Sequence, residues 1–586
     1  MSLVRVTIDG RSVAVPEGDT ILDAAKLVNV DIPTLCYLNL ERLKVNNQRA
    51  SCRICVVEVE GRKNLAPACA TPATDGMIVR TNTIRVLNAR KVVLELLLSD
   101  HPKDCLVCQK SGECELQALS VKFGLRESPY DGGEQSTYRK DFSESIMRDM
   151  DKCIMCRRCE TMCNDVQTCN VLSGVNRGFT AVVAPAFEMN LSDSICTHCG
   201  QCTAVCPTGA LVERDHSWRV IEALADPEKT VIVQTAPAVR AALGEELGSP
   251  AGTLVTGKMV SALRELGFDY VFDTDFAADL TIMEEASELL DRLTRFLNGD
   301  TTAKLPIMTS CCPAWVKFFE HNFPDLLDVP STTKSPQQMF GAIAKNYFAE
   351  QLGIPREKMV VVSVMPCLAK KYEAARPEFA ENGNRDVDIV LSTRELGRLI
   401  KHTNIDFASL SESDFDRPLG ESTGAGVIFG TTGGVLEAAL RTAVELSTGE
   451  PLAKVEFTEL RGMEGIRFAK VPVGELTLNV GIAHELGNAR KLLDIVRDGS
   501  EQLHAIEIMA CPGGCIGGGG QPYHHGDESI LDARVAAIYR EDAGKPRRKS
   551  HENPYVQELY AKYLGEPLGE RAHQLLHTQY FKRQKM

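Results

Sequence analysis

Two runs, CIMCRRCETMC at 153–163 and CTHCGQCTAVCP at 196–207, place eight cysteines in one repeated spacing, C-x2-C-x2-C-x3-C. Four thiols drawn together by so short a segment must either be oxidised or be given a metal centre, so these runs constrain the fold before any helix or strand is considered. The chain has 21 cysteines in 586 residues, and its start, MSLVRVTIDG, alternates like a strand where a secretory signal would carry an apolar core. That pattern predicts a cytoplasmic, reducing setting in which thiols ligate metal and do not pair as disulfides. The repeated spacing is that of a double [4Fe-4S] unit, in which the fourth cysteine of each run serves the other cluster. The expected sets are therefore Cys153, Cys156 and Cys159 with Cys206, and Cys196, Cys199 and Cys202 with Cys163. Asn164 follows Cys163 where Pro207 follows Cys206, which alters a turn but no ligand. His198, between two ligands, is expected to be a neighbour or surface residue, not a ligand.

Two further groups precede these. Cys36, Cys52, Cys55 and Cys69 lie between a strand-turn-strand-helix pattern, MSLVRVTIDGRSVAVPEGDTILDAAKLVN, and another alternating stretch, GMIVRTN. This predicts a small ubiquitin-like (β-grasp) domain over 1–80 whose loops hold a [2Fe-2S] cluster; four thiols could equally hold zinc. HPKDCLVCQKSGEC then supplies His101, Cys105, Cys108 and Cys114 after a helical run, LNARKVVLELLLSD. A histidine in such a place is, taken alone, as readily a helix-end residue. With three residues between it and a C-x2-C-x5-C triplet, it becomes the fourth ligand of a [4Fe-4S] domain over 81–138 held by one histidine and three cysteines. Imidazole in place of a thiolate makes a cluster less negative and raises its potential. The double unit occupies 139–218. Three or four clusters in succession form a wire for electrons, and a wire needs a terminus where chemistry is done.

Beyond Trp218 cysteine becomes sparse and helix-strand alternation begins, as in KTVIVQTAPAVRAALGEELG and KMVVVSVMPCLAKKYEAARPE. An α/β catalytic domain is expected over 219–545, making the whole chain a multidomain α+β and α/β protein. Its cysteines, Cys311, Cys312, Cys367, Cys511 and Cys515, fall where three apolar strand-like runs end, the usual place for a site in such folds. Burial as small hydrophobes would explain one of them but not three such segments together. The tail over 546–586, with an amphipathic stretch after Pro554, is expected to pack on the catalytic domain. A net charge of −14 is a poor match for nucleic acid, and no run of apolar residues is long enough to span a membrane. The basic run KPRRKSH from Lys545 reads as a solvated segment. No G-x-G-x-x-G stands between a strand and a helix. GTLVTGKM nearly matches a phosphate-binding loop, but Met259 replaces the magnesium-binding hydroxyl, so a flavin or nicotinamide step would fall to a partner subunit.

TSCCPAW, MPCLAKKYEA and MACPGGCIGGGG resemble the three signature motifs of the iron-only, or [FeFe], hydrogenases, and the accessory groups resemble the long cluster-rich form of that family. The resemblance implies a two-lobed α/β catalytic domain binding an H-cluster, a [4Fe-4S] cubane joined through one cysteine to a two-iron unit with carbon monoxide, cyanide and a dithiolate amine. Carried over by motif, Cys312, Cys367, Cys511 and Cys515 hold the cubane, Cys515 bridges, and Cys311 is the thiol that exchanges a proton with the amine. Only Cys169 is then without a role, and it is expected to be inert. Glu285, Ser331, Glu288 and Arg292 match the family's proton path; read without the family, Glu285 and Glu288 are most simply solvent-facing charges on a helix. Lys370 matches a lysine donating to cyanide, and Ala236, Pro237, Gln337, Met365 and Met509 match the rest of the pocket. Gly513, Gly514 and Gly517 to Gly520 read as backbone passing close to a bulky cluster. The implied cofactors are one [2Fe-2S] cluster, three accessory [4Fe-4S] clusters and the H-cluster. The implied activity is reversible oxidation of H2 to protons and electrons. General sequence character is similar to the catalytic subunits of NAD(P)-linked assemblies with diaphorase and small iron–sulfur partners, with or without bifurcation to ferredoxin. A stand-alone ferredoxin-linked enzyme is the alternative. A hydrogen sensor, or an assembly protein without the two-iron unit, fits less well, because all three motifs and Cys311 are present.

Overall fold

A computed structural model describes residues 2–132, 140–473 and 476–584. At the N-terminus, alternation along Leu3–Ile8 turns Val6 and Ile8 inward, and the strands assemble in the order Arg11–Pro16, Leu3–Ile8, Met77–Arg80, Val56–Val59, Ala66–Pro67. Leu3–Ile8 and Met77–Arg80 run parallel, as a β-grasp crossover requires. Helix Ile21–Leu27 starts at a reciprocal Thr20–Asp23 capping box and lays Ile21, Leu22, Ala24 and Ala25 on the sheet.

Helices Ile84–Ser99 and Glu115–Lys122 frame the segment carrying His101, Cys105, Cys108 and Cys114. The expected boundary at 138/139 lies outside the described residues. Next comes a three-stranded antiparallel sheet, Leu211–Glu213, Ile146–Arg148 and Asp141–Phe142. The two cysteine runs are repeats in conformation as well as spacing. Met155 and Arg157 in the first take left-handed backbone (φ 51° and 60°), as do His198 and Gly200 at the equivalent places in the second (φ 58° and 75°). That conformation is costly for a residue other than glycine, so the loop must be shaped around something it encloses.

The catalytic part contains two four-stranded sheets. In the first, Tyr270–Asp273, Thr230–Thr235, Met359–Met365 and Ile389–Ser392 are all parallel. In the second, Ile307–Met308, Ala505–Met509 and Leu476–His484 are parallel, with Ile466–Val473 antiparallel at the edge. The long helix Thr274–Leu297 packs on Pro336–Ile343 and on Gly434–Thr448 and is buried over most of its N-terminal two thirds. The tail docks as expected: Val556, Leu559, Tyr560, Leu564, Ala572 and Leu576 join the core around the first sheet. The basic run, however, is not a solvated segment. Arg548 binds Asp542 and Glu456, and Lys549 reaches Glu445 at 2.9 Å, so the charges are consumed in docking the tail.

Candidate active site and cluster sites

Three strands deliver the catalytic cysteines from their C-terminal ends. Ile307–Met308 leads into Cys311 and Cys312, Met359–Met365 into Cys367, and Ala505–Met509 into Cys511 and then Cys515. Cys312 stands at the N-cap of helix Pro313–Asn322, whose first position is taken by Pro313. All five thiols line a single, largely apolar cavity. Ala236, Pro237, Gln337, Met365, Lys370 and Met509 line the same cavity, so every pocket position named from the sequence is brought together. Thr274, Ala278, Pro313, Pro336 and Phe429 complete the wall and carried no signal in the sequence beyond being small or apolar.

The donor set fits a multi-iron group. Burial and the neighbouring Cys312 push Cys367 up to about 12, and burial with neighbouring thiols likewise raises Cys511 and Cys515. Four thiolates can share such a space only if a metal centre supplies the compensating charge. Gln337 commits its Nε2 to Lys370 O at 3.2 Å and Glu373 Oε2 at 3.0 Å, leaving its buried Oε1 with no partner among the described residues. A buried acceptor left this way at a cavity wall awaits a donor from whatever fills the cavity.

Lys370 extends its ammonium to Glu373 Oε2 at 2.9 Å and to the Cys311 carbonyl at 3.0 Å, leaving its third N–H uncommitted by these bonds. Glu373 was missed by sequence reading, although its place three residues beyond Lys370 on one helix was a usable signal. The glycine run works differently from expectation. Gly514 and Gly518 do line the cavity, but side chains at Gly518 and Gly519 would meet protein: the Pro366 carbonyl in one case and, at 2.6 Å, the Gly200 backbone in the other. These glycines let the loop cross neighbouring chain closely, with Gly519 against the cysteine run at 196–206 and Gly518 against the turn that carries Cys367.

The acidic pair is buried, which corrects the solvent-facing reading. Helix Thr274–Leu297 is enclosed around most of its circumference, and Glu285 and Glu288 are 5% and 7% exposed. Burial, then Glu288 and Glu507, push Glu285 up to about 8. Burial and the nearby Glu285 carboxyl raise Cys311 well above an ordinary thiol. Ser331 Oγ donates to Glu288 Oε2 at 2.7 Å and lies 2.8 Å from Thr333 Oγ1. Arg292 forks between Glu288 and the carbonyls of Val329 (2.7 Å) and Pro330 (3.1 Å). Tyr580, from the tail, donates to the Ser331 carbonyl. A thiol, two carboxyls and a hydroxyl in succession are groups that can hold and pass a proton.

Residues 229–519 match the family described as iron only hydrogenase large subunit, C-terminal domain, and residues 528–583 match iron hydrogenase small subunit. The N-terminal part matches a 2Fe-2S iron-sulfur cluster binding domain (2–84), the NADH-ubiquinone oxidoreductase-G iron-sulfur binding region (90–129) and a 4Fe-4S dicluster domain (152–210). The NADP-reducing hydrogenase subunit HndD of Solidesulfovibrio fructosivorans is 74% identical over 586 residues, all of both chains. The chain belongs to the iron-only, or [FeFe], hydrogenase family. A structure of the [FeFe]-hydrogenase HydA1 from Chlamydomonas reinhardtii superposes with a TM-score of 0.57 at 45% identity, covering 63% of this chain and 99% of that one. Cytosolic iron-sulfur assembly component 3 of Mus musculus is 32% identical, covering 67% of this chain and 84% of that one.

In this hydrogenase the 2Fe-2S domain places Cys36 in hydrogen-bond reach of Cys52 and Cys69, with Cys55 Sγ 3.3 Å from Cys69 Sγ. Within the dicluster domain Cys206 acts electrostatically on Cys153, Cys156 and Cys159 of the other run as well as on Cys202 of its own, and Cys163 acts on Cys199 and Cys202 and is itself raised by Cys196. His101 is half-buried, with its Nδ1 shielded from solvent and lacking a partner among the described residues, as an imidazole held for a metal would be. His198 is buried and stacks on Tyr372 at 5.0 Å. Cys169 is buried and lies 3.7 Å from the Thr197 hydroxyl. The hydrogenase's cysteine run at 196–206 touches the catalytic loop directly: Gln201 Nε2 donates to Gly517 O at 3.0 Å, and Cys199 lies close enough to raise Cys511.

Proposed function

We propose that Cys312, Cys367, Cys511 and Cys515 hold the cubane of an H-cluster, with Cys515 bridging to the two-iron unit. Bound there, the cluster supplies redox-active iron at which dihydrogen is cleaved heterolytically. Cys311 takes up or returns the proton, and Glu285, Ser331, Glu288 and Arg292 carry it to the surface. Lys370, Gln337, Met365, Met509, Ala236 and Pro237 position the two-iron unit and exclude water. Cys163, Cys196, Cys199 and Cys202 would hold one accessory cluster, Cys153, Cys156, Cys159 and Cys206 a second, His101, Cys105, Cys108 and Cys114 a third, and Cys36, Cys52, Cys55 and Cys69 a [2Fe-2S] cluster; bound there, these groups would supply the electron relay away from the catalytic site. The units are 1–80, 81–138, 139–218, 219–545 and the tail 546–586. The observation that carries this reading is the cavity itself, where four thiols and a fifth, spare one face the same space beside a buried carboxyl.

The whole-length likeness to a subunit of an NADP-reducing hydrogenase supports a hetero-oligomer whose partner subunits reduce NADP. Diaphorase and small iron–sulfur subunits are the partners of this reading, with or without bifurcation to ferredoxin, and its setting is the cytoplasm. Among the described residues no helix is long and apolar enough to cross a membrane. Infrared spectra of the matured chain test the cluster: metal carbonyl and cyanide bands are expected, and their absence, with a plain cubane present, would favour an assembly role. Cys311→Ala should keep those bands and lose nearly all turnover. The isolated chain should reduce a viologen dye with H2, and NADP only when partner subunits are added.

A further inference from the structure

Buried cations stand beside several of the cysteine groups, and most are matched by carboxylates. Lys152 is held by Asp149 at 3.3 Å and Asp104 at 3.6 Å, Arg158 by Glu115 at 2.7 Å, and Lys370 by Glu373 at 2.9 Å. Lys317, near Cys196, is 5% exposed and lines a surface groove, with its Nζ 4.4 Å from the Tyr372 ring centroid. Lys110 is different. It is 1% exposed, its Nζ has no hydrogen-bond acceptor among the described residues, and it rests on the ring of Tyr523, 2.8 Å from the centroid. Arg394 also stands over that ring at 4.3 Å, but its guanidinium is taken up by Glu213 at 2.7 Å and by the Gly519 and Gln521 carbonyls. Glu213 is claimed a second time by Arg398 at 2.7 Å. Among the described residues no carboxylate forms an ion pair with Lys110; Glu213 and Glu113 act on its charge only from beyond ion-pair distance.

Its location gives that charge a target. A side chain added at Gly209, in the segment that follows Cys206, would lie 2.7 Å from Cys108 Sγ and 3.5 Å from Lys110 Cβ. Glu115 N donates to Pro207 O at 2.9 Å across the same seam. Cys108, Lys110 and the chain leaving Cys206 thus converge. Under the ligand assignment above, on which this step rests, they mark the hand-off between the histidine-ligated cluster of His101, Cys105, Cys108 and Cys114 and the cluster of Cys153, Cys156, Cys159 and Cys206. A unit charge inside a water-poor seam acts strongly on a neighbouring group whose net charge changes by one electron, and cluster potentials follow local charge.

We propose that Lys110 sets the reduction potentials of both clusters meeting at this seam, its unpaired charge making each easier to reduce and so gathering electrons at the junction. No proton or bond change is involved; one electron resides on one cluster or the other.

The test is an electron-paramagnetic-resonance redox titration of the full chain with its clusters assembled, comparing wild type with Lys110→Met, Lys110→Gln and Lys110→Arg. Wild type must first show both cluster signals; their absence would sink the ligand assignment independently of Lys110. The two neutral variants are expected to keep both signals, with the reduced-to-oxidised ratio at fixed potential at least tenfold lower for each, about 59 mV for one electron. The [2Fe-2S] signal should not move, and the arginine variant should stay at the wild-type ratios. Unchanged ratios in fully loaded neutral variants would overturn the proposal. So would an arginine variant shifted as far as the neutral ones. Loss of both clusters in both neutral variants, whatever the arginine variant does, would assign Lys110 to holding the seam together and would overturn it equally.

Discussion

Ser331 donates its hydroxyl hydrogen to Glu288 Oε2 at 2.7 Å, closing a gap of 43 residues in the sequence between two groups of the proposed proton path. A hydroxyl can accept from one side while donating to the other, which an alanine cannot do. Ser331→Ala is expected to lower hydrogen-driven viologen reduction about 10²-fold while leaving the infrared bands of the cluster in place. Activity within a factor of about two of wild type would exclude the serine from the path.

Glu285 gives a pH-dependent outcome whose sign is set by its environment. Burial, Glu288 and Glu507 raise it from 4.5 to about 8 in the folded chain. A carboxyl raised on folding contributes its full stability below the unfolded value of 4.5 and loses it as pH rises from there through about 8. Glu285→Gln keeps a neutral group throughout, so its thermal midpoint should fall less than that of wild type between about pH 5 and about pH 8, even as turnover collapses. Parallel midpoints in the two proteins would show that Glu285 does not titrate as a buried group.

Glu213 and Arg394 join the dicluster domain to the catalytic domain. The strand Leu211–Glu213 carries the acid, helix Thr393–His402 carries the base, and neither side chain reaches solvent. Glu213→Ala strands Arg394 without its partner and leaves Arg398 short of one, so a cost of about 3–5 kcal/mol is expected in thermal or denaturant unfolding. A loss below about 1 kcal/mol would mean that water enters and rescues the guanidinium groups.

Gly519 crosses Gly200 with no room between them. A β-carbon at Gly519 would sit 2.6 Å from Gly200 backbone, which cannot retreat without moving the loop that holds Cys199 and Cys202. Gly519→Ala should cost about 1–3 kcal/mol. It should also slow the reduction of the accessory clusters by H2 in stopped-flow absorbance, with the carbonyl and cyanide bands retained. Wild-type rates would show that the loop yields without cost.

Much of this chain was legible before its structure. The thiols of the two repeated runs and of the 105–114 triplet could be sorted because their spacing is local, a few residues of loop bringing cysteines to one point, whereas the catalytic thiols on three remote segments were grouped by the resemblance of their motifs. Alternation along Leu3–Ile8 and the apolar runs ending at Cys312, Cys367 and Cys511 marked strands and their site-bearing ends for the same reason. The misreadings have a common origin. Glu285 and Glu288 look like solvent-facing charges, and the run from Lys545 like a free basic segment, because whether a charged side chain meets water or a partner depends on what distant chain packs over it. The glycines after Cys515 were correctly seen as demanding close approach, but what approaches them most closely includes the Pro366 carbonyl and the Gly200 backbone.

The sequence by itself marked the two C-x2-C-x2-C-x3-C runs and the C-x2-C-x5-C triplet as metal-binding groups, since those are written in spacings of two to five residues, whereas the ligand set of the catalytic cysteines came from the likeness of their motifs to a known family. Tertiary structure decided everything that requires two remote segments to meet. It enclosed the glutamates of one helix, set Ser331 beside them and closed them over with Tyr580, matched Lys370 with Glu373, and left Lys110 without an ion-pair partner among the described residues at a seam between domains. The physical reason is that ligation geometry is short-range and local, whereas the charge state and proton traffic of a buried group depend on desolvation and on neighbours that only the folded chain assembles.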